Sequence, residues 1–393
     1  MLSGPPSSML DIPPLALYIH IPWCVRKCPY CDFNSHAVGG QIPERAYVGA
    51  LIADLEQDLP QVAGRVLETI FIGGGTPSLF EPEAIAALLE AIGQRLPLAP
   101  DLEVTLEANP GTAECGKFRG FREAGVNRLS IGIQSFNDRQ LQHLGRIHDR
   151  GEAISAVSIA AQAGYNNVNL DLMFGLPDQS QADALSDIRA ALDLNPTHLS
   201  FYQLTLEPNT LFHKNPPPLP EDELIWSMQA ACQSLIAEQG FRQYEVSAYA
   251  REGFRCRHNL NYWQFGDYLG IGAGAHGKLT DVATGRITRT WKVRRPQHYL
   301  EGAGRPESIG GSDAVARQDL PLEFLMNHLR LREGFAGATF VERTGLPQEA
   351  LEPVLSVCIE AGLLERQDDV IRCSDTGWRF LDNVLERFVN KDG

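Results

Sequence analysis

The stretch Tyr18–Phe33, YIHIPWCVRKCPYCDF, begins with apolar and aromatic residues and ends in a tight group of cysteines. Cys24, Cys28 and Cys31 follow the spacing C-x3-C-x2-C, whereas the other five cysteines of the chain are widely scattered. In a reducing compartment such a cluster indicates a metal-binding or catalytic site and not a set of disulfides. The stretch therefore predicts a buried strand that leads directly into a metal-binding loop.

Six apolar runs rich in β-branched residues alternate with longer helical patterns in the first half of the chain. A repeated strand–helix pattern indicates a parallel sheet, either open or closed into a barrel. The predicted strands cover residues 16–21, 68–75, 102–110, 128–136, 168–177 and 198–208.

Polar or glycine-rich positions end four of these predicted strands. They are the sequence GGGT at 73–76, then Glu107, Gln134 and Asp171. The carboxyl ends of parallel strands meet on one face of the fold, and binding sites lie there. Since the cysteines also follow a strand, these positions predict a single assembled site.

The composition of the 393-residue chain is that of a globular protein, with 44% hydrophobic and 21% charged residues. No apolar run is long enough to predict a membrane span. The N-terminus lacks the basic start and apolar core of a signal peptide, so we expect the cytoplasm. The net charge of −15 argues against a nucleic-acid partner, since such proteins usually carry a basic face.

The sequence predicts a division into an N-terminal tail (1–15), a barrel (16–214), an extension of the barrel (215–311) and a C-terminal domain (312–393). The extension ends in a glycine-rich stretch, 301–311, which is interpreted as a linker. The C-terminal pattern of helices, a β-hairpin and a last helix is typical of a winged helix. Residues 315–393 hold 9 Lys and Arg against 14 Asp and Glu, a net charge of −5, which disfavours duplex DNA and favours an accessory or lid role.

Two kinds of inorganic centre fit the three clustered cysteines. A structural zinc site needs four protein ligands, so His20 or His36 would have to complete the set. A 4Fe–4S cluster normally takes four cysteine thiolates, so three would leave one iron open to a small molecule. A third interpretation, three unrelated cysteines, conflicts with their close spacing.

The spacing C-x3-C-x2-C after a strand ending in YIHIPWC resembles the radical S-adenosylmethionine (SAM) superfamily. The resemblance implies a 4Fe–4S cluster on Cys24, Cys28 and Cys31, whose open iron is chelated by the amino and carboxylate groups of SAM. It implies that reduction of the cluster cleaves SAM to methionine and a deoxyadenosyl radical. The expected fold is α/β, a partial (β/α)6 radical SAM barrel with a C-terminal, mainly helical winged-helix-like domain.

The same resemblance assigns SAM contacts to the strand ends and to two tyrosines. In GGGTPS (73–78) the backbone would approach the SAM amino group closely, which favours glycine. Glu107 would accept hydrogen bonds from ribose hydroxyls or an ammonium, and Arg146 would pair with a carboxylate. The implied SAM-binding residues are Tyr18, Tyr30, Gly74, Gly75, Thr76, Glu107, Gln134, Arg146 and Asp171.

Five motifs narrow the resemblance to the oxygen-independent coproporphyrinogen III oxidase group, from about residue 16 to 390. They are YIHIPWCxxxCxYCDF, GGGTPS, SIGIQSF, LGRIH and DLMFGLP. Two departures matter, because Phe33 stands where the oxidases have a fourth cysteine and the segment before Cys24 is short. Both departures are similar to an oxidase-like branch regarded as heme chaperones. Oxidase activity is therefore predicted to be absent, with decarboxylation of coproporphyrinogen III as the alternative.

The segment HNLNYW at 258–263 matches an H-N-x-x-Y-W motif of that chaperone branch. An imidazole can ligate heme iron, and adjacent aromatic rings can pack on a flat porphyrin. The alternative interpretation is a loop histidine with core aromatics. The expected partner is a heme-acceptor protein, such as a respiratory enzyme. The candidate heme residues are His258, Asn259, Tyr262 and Trp263.

Overall fold

The computed structural model of the chain describes residues 10–389, and the side chains of all of these except 112 and 113. The first nine residues of the predicted N-terminal tail, 1–15, lie outside this range. Leu10 is buried, and the backbone N–H of Asp11 donates to the Glu342 carbonyl oxygen (2.8 Å). The described start of the chain therefore packs against its C-terminal part.

The strands form one large sheet and two small ones. In chain order they are β1 (Leu15–Ile21), β2 (Trp23–Cys24), β3 (His36–Ala37), β4 (Leu67–Gly74), β5 (Leu98–Ala108), β6 (Arg128–Gln134), β7 (Val168–Phe174), β8 (His198–Gln203), β9 (Arg242–Gln243), β10 (Ala248–Ala250), β11 (Asp267–Ile271), β12 (His276–Asp281), β13 (Arg286–Lys292), β14 (Ile309–Ala314), β15 (Phe335–Ala336), β16 (Leu364–Gln367) and β17 (Val370–Cys373).

The large sheet has the strand order β14-β13-β12-β11-β1-β4-β5-β6-β7-β8-β10-β9. From β1 through β8 each neighbouring pair is parallel, which confirms the six predicted strands and the partial (β/α)6 barrel. A further parallel strand, β11, lies on the other side of β1 and was not predicted from the sequence. Because these strands are covered on both faces, they are nearly continuous runs of buried residues.

The helices after the parallel strands pack their apolar residues with the sheet into one core. Two begin at capping boxes, at Asp149 with Glu152 and at Ser180 with Asp183, which satisfy the free N–H groups of the first turn. No helix within residues 10–389 combines the length and apolarity needed to cross a membrane. In chain order the helices are α1 (Glu44–Asp58), α2 (Pro82–Gly93), α3 (Thr112–Cys115), α4 (Phe118–Ala124), α5 (Asp138–His143), α6 (Arg150–Gln162), α7 (Gln181–Asp193), α8 (Leu211–Lys214), α9 (Asp222–Glu238), α10 (Arg257–Trp263), α11 (Pro296–Gly302), α12 (Leu320–His328), α13 (Gly337–Thr344), α14 (Val354–Glu360), α15 (Asp375–Arg379) and α16 (Leu381–Glu386).

The interpretation of 301–311 as a linker was wrong. This stretch contains the end of α11, a short 3-10 turn and the start of β14, which pairs antiparallel with β13. A Cβ on Gly310 or Gly311 would collide with the indole of Trp291. The glycines there allow an edge strand to pack closely on a tryptophan, so they reflect packing and not flexibility.

The C-terminal helices and the hairpin β16–β17 form a second hydrophobic core. The ring of Phe324 on α12 packs edge-on against Phe335 (4.9 Å between centroids) and Phe340 (5.2 Å). Phe265 and Ile287, from the region of the large sheet, join the same core. The predicted helices followed by a hairpin are confirmed, whereas the predicted last helix is divided into two short ones, α15 and α16.

Candidate functional site

The three clustered cysteines lie on the loop that follows β1. Cys24 lies in β2, which pairs with β3, and the N–H of Cys31 donates to the Cys28 carbonyl oxygen (3.2 Å) to close a turn. All three are half-buried and line one cavity of about 380 Å³, which we call the cysteine cavity. The predicted SAM-binding residues that line it too are Tyr30, Gly74, Gly75, Thr76, Glu107, Gln134, Arg146 and Asp171.

The arrangement of the thiols suits an iron–sulfur cluster better than a single zinc ion. Within residues 10–389, no three His, Cys, Asp or Glu side chains are arranged as ligands of one ion. His20, a ligand that a zinc site could require, already uses Nδ1 with the Tyr18 hydroxyl (3.0 Å) and Nε2 with the Asn34 carbonyl oxygen (2.9 Å). Burial raises the pKa of Cys24 and of Cys31, so a bound cationic centre would stabilise their thiolates.

The glycine loop after β4 packs its backbone against the cysteine loop. Gly74 has a φ of +115°, and a Cβ on it would meet the His20 ring at 2.5 Å. A Cβ on Gly75 would meet the Trp23 carbonyl oxygen at 2.5 Å, and the N–H of Thr76 donates to that oxygen (2.7 Å). Glycine is needed at both positions, and the main chain of the loop lines the cavity as a result.

Glu107, at the end of β5, is fixed by the glycine loop. The N–H of Gly74 donates to its Oε2 (3.0 Å). Burial, followed by the nearby Asp171 carboxylate, raises the pKa of Glu107 to about 7. Its carboxyl group therefore changes charge near neutral pH, a property common among residues that bind ligands or take part in catalysis.

Arg146 connects the strand ends to the cysteines. Its Nη2 donates to Asn109 Oδ1 (2.5 Å) and to the Gly132 carbonyl oxygen (2.7 Å), and its Nη1 lies 3.8 Å from Cys28 Sγ. Asn109 Nδ2 in turn donates to Thr76 Oγ1 (2.9 Å). The guanidinium is thus held beside a thiol, where it can pair with a carboxylate or with the negative charge of a thiolate.

Gln134 and Asp171 belong to the neighbouring strands β6 and β7 and face the same cavity. Gln134 has a φ of 70°, which is uncommon for a residue other than glycine, and its Oε1 accepts from the Tyr202 hydroxyl (2.7 Å). Asp171 accepts from Ser130 Oγ (3.1 Å) and Asn169 Nδ2 (2.8 Å), while burial raises its pKa. A strained backbone beside buried polar groups is typical of a functional site.

The two tyrosines predicted to contact SAM lie in different places. Tyr30 lines the cysteine cavity and packs near Phe212, with 6.3 Å between the ring centroids. Tyr18 lines a second cavity instead, where its ring stacks on Phe71 at 6.3 Å. The structure thus brings eight of the nine predicted SAM residues together with the three cysteines, and it places Tyr18 in the second cavity.

The second cavity has a volume of about 860 Å³ and contains the whole H-N-x-x-Y-W motif. We call it the histidine cavity, because His20, His258 and His276 line it. Its volume lies within the range of roughly 300–1,000 Å³ that is common for small-molecule sites. The motif residues in its wall, on and around α10, are His258, Asn259, Tyr262 and Trp263.

His258 is buried and oriented by its neighbours. Its Nδ1 forms a hydrogen bond with Thr69 Oγ1 (3.0 Å), and its ring lies 5.1 Å from that of Phe71. Burial, reinforced by the charge of Arg128, lowers the pKa of His258 to about 3, so the imidazole is neutral at physiological pH. Its Nε2 makes no hydrogen bond within the described part of the chain. A neutral imidazole fixed through Nδ1 can offer Nε2 as a metal ligand.

Glu103 anchors the start of α10, the helix that carries His258. Its carboxylate accepts from the backbone N–H groups of Arg257 (3.1 Å) and His258 (3.0 Å) and contacts Cys256 Sγ (3.7 Å). A carboxylate at a helix N-terminus satisfies free N–H groups and interacts favourably with the helix dipole. Glu103 thereby fixes the position of the motif helix against β5.

The cysteine cavity and the histidine cavity share part of their walls. Phe33, Gly74 and Glu107 line both. The Phe33 side chain is 59% exposed, although it is a large apolar ring. A ligand in one cavity would therefore contact residues that also line the other.

Several lining residues were not predicted from the sequence. Asn109 could have been found, since it stands two residues after Glu107 and so faces the same side of an extended chain. The others, apart from Asn34 on the cysteine loop, are brought to the cavities by pairing between distant strands, which no local pattern reveals. Around the cysteine cavity these are Ser130, Ser200 and Tyr202, and around the histidine cavity they are Asn34, Phe71, His276, Trp291 and Arg294.

Comparison with known families identifies two regions of the chain. Residues 18–191 match the model of the radical SAM superfamily, and residues 315–380 match that of the HemN C-terminal domain. A 4Fe–4S cluster and SAM, the cofactors of that superfamily, are therefore the cofactors of this chain. The chemistry of the cysteine cavity, with three thiols, a glycine loop and Arg146, fits both of them.

Relatives in two very different organisms cover nearly the whole chain. The heme chaperone HemW of Escherichia coli (strain K12) is 50% identical over 381 residues, which are 97% of this chain and 100% of that protein. The mitochondrial radical S-adenosyl methionine domain-containing protein 1 of Mus musculus is 37% identical over 401 residues, which are 98% of this chain and 89% of that protein.

A solved structure shares the fold at lower sequence identity. Coproporphyrinogen III oxidase (HemN) of Escherichia coli superposes with a TM-score of 0.81 at 21% identity, covering 96% of this chain and 90% of that one. This likeness confirms the predicted architecture and concerns the fold alone. The identity of 50% over almost the full length decides the family, and the chain belongs to the HemW family of the radical SAM superfamily.

Proposed function

We propose that this chain is a heme chaperone that binds heme in the histidine cavity and a SAM-chelated 4Fe–4S cluster in the cysteine cavity. It would pass the heme to an acceptor protein, such as a respiratory enzyme. The naming of its relatives as heme chaperones supports this proposal. The single observation that carries it is the presence of two adjoining cavities, one lined by the cysteines and the other by the histidine motif.

In the cysteine cavity, Cys24, Cys28 and Cys31 would hold the cluster, which when bound supplies one-electron chemistry and an open iron for SAM. The backbone of the glycine loop would accept hydrogen bonds from the amino group of SAM. Arg146 would pair with the carboxylate of SAM. Glu107 would accept hydrogen bonds from the ribose or the ammonium. Gln134 and Asp171 would hold the nucleoside, and Tyr30 would pack against its base.

In the histidine cavity, His258 would be the iron ligand, since its Nδ1 is fixed by Thr69 and its imidazole is neutral. Tyr262 and Trp263 stand edge to face, with 4.9 Å between their centroids, and would pack on the macrocycle. Asn259 would contribute a polar contact at the rim. The cavity volume of about 860 Å³ suits a ligand as large as heme.

The test is an anaerobic titration of cluster-loaded protein with heme, followed at the Soret band. We expect one heme per chain, and about tenfold weaker binding with an altered band for His258→Ala, since an iron ligand is lost. His298→Ala is the matched control, because His298 is exposed on α11 and lines neither cavity.

Two results would contradict the proposal. One is the absence of stoichiometric heme binding together with conversion of coproporphyrinogen III, which would favour the oxidase alternative. The other is heme binding without any transfer to an apo-acceptor when the two proteins are mixed and separated. Loss of iron on Cys28→Ala with unchanged zinc content would dispose of a zinc centre.

A further inference from the structure

We infer that the histidine cavity selects flat tetrapyrroles with free carboxylates, which lie across a row of aromatic side chains in the sheet and pair with Arg294. This inference rests on the proposed function and deepens it, because it names what the cavity recognises besides iron. The aromatic row consists of Phe71, Tyr18, His276 and Trp291, and all four residues line the cavity.

The aromatic row follows from the register of five neighbouring strands. Tyr18 on β1 lies opposite Phe71 on β4 and opposite Gly270 on β11. β12 pairs antiparallel with β11, and His276 on β12 lies opposite Trp291 on β13. Side chains that lie opposite one another in a sheet project from the same face. Tyr18 and Phe71 therefore share a face, as do His276 and Trp291, and all four rings line the histidine cavity.

The rings in the aromatic row are stacked in two pairs. Tyr18 and Phe71 are 6.3 Å apart with their planes at 27°, and His276 and Trp291 are 6.5 Å apart with their planes at 28°. One pair lies on β1 and β4 and the other on β12 and β13, with β11 between them. Such a surface offers broad contact to a flat aromatic ligand.

Gly270 lets β12 fold closely over β11 between the two pairs of rings. A Cβ on this glycine would collide with the backbone of His276, so the main chain of His276 fills the space above Gly270. A glycine within a strand often marks such a close approach of backbone. The fold places His276 and Trp291 in the wall of the same cavity as Tyr18 and Phe71.

The charges around the cavity suit an anionic ligand, in a chain whose net charge is −15. Among the residues that line the cavity, Glu107 is the one carboxylate, and Lys292 and Arg294 are cationic. Lys292 is already paired, because its Nζ bonds to Asp54 (2.5 Å) and Asp58 (2.8 Å). The guanidinium of Arg294 forms no ion pair or hydrogen bond within residues 10–389. Its planar fork matches a carboxylate.

Asn34 holds Arg294 in place beside the aromatic row. Its Nδ2 donates to the carbonyl oxygens of Arg294 (2.8 Å) and Ala273 (2.9 Å), while its own carbonyl oxygen bonds to His20 (2.9 Å). The backbone at Arg294 is thus fixed although its side chain is exposed. A fixed backbone reduces the entropy that the guanidinium loses when it pairs with a ligand.

The experiment compares heme, iron-free protoporphyrin IX and heme dimethyl ester, in which both carboxylates are esterified. Dissociation constants are measured by absorbance and tryptophan quenching for the wild type, Arg294→Gln and Arg295→Gln. Arg295 is the matched control, since it is the adjacent exposed arginine and does not line the cavity. We expect Arg294→Gln to weaken the binding of heme and of protoporphyrin IX by about tenfold. The binding of the ester should weaken by less than twofold.

A second pair of variants tests the aromatic row. Trp291→Leu and Phe71→Leu should each lower the affinity for all three ligands by a similar factor of about three to ten, because stacking does not depend on the carboxylates. If wild-type protein binds no heme, the proposed function and this inference fall together. If heme binds as proposed, two results overturn this inference alone. One is an unchanged heme affinity in Arg294→Gln, and the other is an equal loss of affinity for heme and for its dimethyl ester.

Discussion

The cysteine cavity and the histidine cavity lie side by side but are built in different ways. In the cysteine cavity nearly every polar side chain is held by another, as Arg146 is by Asn109 and Gln134 by Tyr202. In the histidine cavity the walls are mainly rings, and the fixed elements are the backbone and the start of α10. A crowded polar site fixes one ligand geometry, whereas an aromatic cavity tolerates a flat ligand that enters and leaves.

The difference follows from the topology that supplies each cavity. The cysteine cavity collects the carboxyl ends of consecutive parallel strands, where loops can carry many polar groups. The histidine cavity lies where β1 meets β11 and the antiparallel strands beyond it, so its surface is a sheet face. Variants that affect one cavity and not the other test whether the two cavities also have separate functions.

The largest expected effect is the loss of the cluster in Cys28→Ala. Since Cys28 would be one of three protein ligands, the variant should retain almost no cluster iron or sulfide after anaerobic reconstitution. Heme affinity should change by less than about twofold, because Cys28 does not line the histidine cavity. Cys358→Ala is the control, as this thiol is buried in the C-terminal core. A parallel loss of heme binding would show that the cavities do not act separately.

The second prediction concerns Glu103, which anchors α10 without lining either cavity. Glu103→Gln should lower the free energy of unfolding by about 2 kcal/mol, because hydrogen bonds to a buried charge are lost beside the buried Arg128. Heme affinity should fall about tenfold as the helix loosens, while cluster content stays unchanged. Chemical denaturation and heme titration measure the two effects.

Glu68→Gln is the control for that experiment. Glu68 also interacts with Arg257, but at 3.9 Å and with its side chain 46% exposed. Exposed ion pairs contribute about 0–1 kcal/mol, so this variant should be close to the wild type in stability and in heme affinity. Equal effects of the two substitutions would mean that the helix is held by something other than the Glu103 carboxylate.

The cysteine cavity was largely predictable from the sequence, for a physical reason. Parallel strands place their carboxyl ends together, so residues as distant as Cys24 and Asp171 are joined once the strands are recognised. The family resemblance then supplied the roles of the individual residues. The location of Tyr18 could not be predicted in this way, because a side chain inside β1 can lie on either face of the sheet. Here it lines the histidine cavity.

The surface of the histidine cavity was not predictable in the same way. The H-N-x-x-Y-W motif is local, and the sequence located it. The aromatic row depends on β11 pairing with β1 across some 250 residues, and the glycine-rich sequence around β11 gave no strand pattern. The same cause explains the error at 301–311, where Gly310 and Gly311 pack on Trp291. Glycine can mark close packing as well as a flexible loop, and only the tertiary structure distinguishes the two.

The third prediction uses Glu107, in the wall that both cavities share. Because burial raises its pKa to about 7, the carboxyl is mostly protonated at pH 6 and mostly ionised at pH 8. An ionised carboxylate is the better acceptor for ribose hydroxyls or an ammonium, so SAM affinity should rise about tenfold from pH 6 to pH 8. Calorimetry on cluster-loaded protein measures the SAM affinity at each pH. Glu107→Gln should bind SAM more weakly with little pH dependence, and an unchanged pH profile in this variant would assign the effect to another group.

The smallest expected effect is at Phe33, which also lines both cavities. Because its ring is 59% exposed, Phe33→Ala should change stability by no more than about 0.5 kcal/mol. We expect heme affinity to fall about threefold, since a flat apolar contact is lost, with SAM affinity unchanged. Phe33→Cys should leave cluster iron per chain unchanged, because in the proposed arrangement Cys24, Cys28 and Cys31 would already supply the protein ligands and the fourth iron would bind SAM. A gain of coproporphyrinogen III decarboxylation in Phe33→Cys would contradict the division between the cavities, because it would mean that one side chain at their shared wall converts a heme carrier into an oxidase.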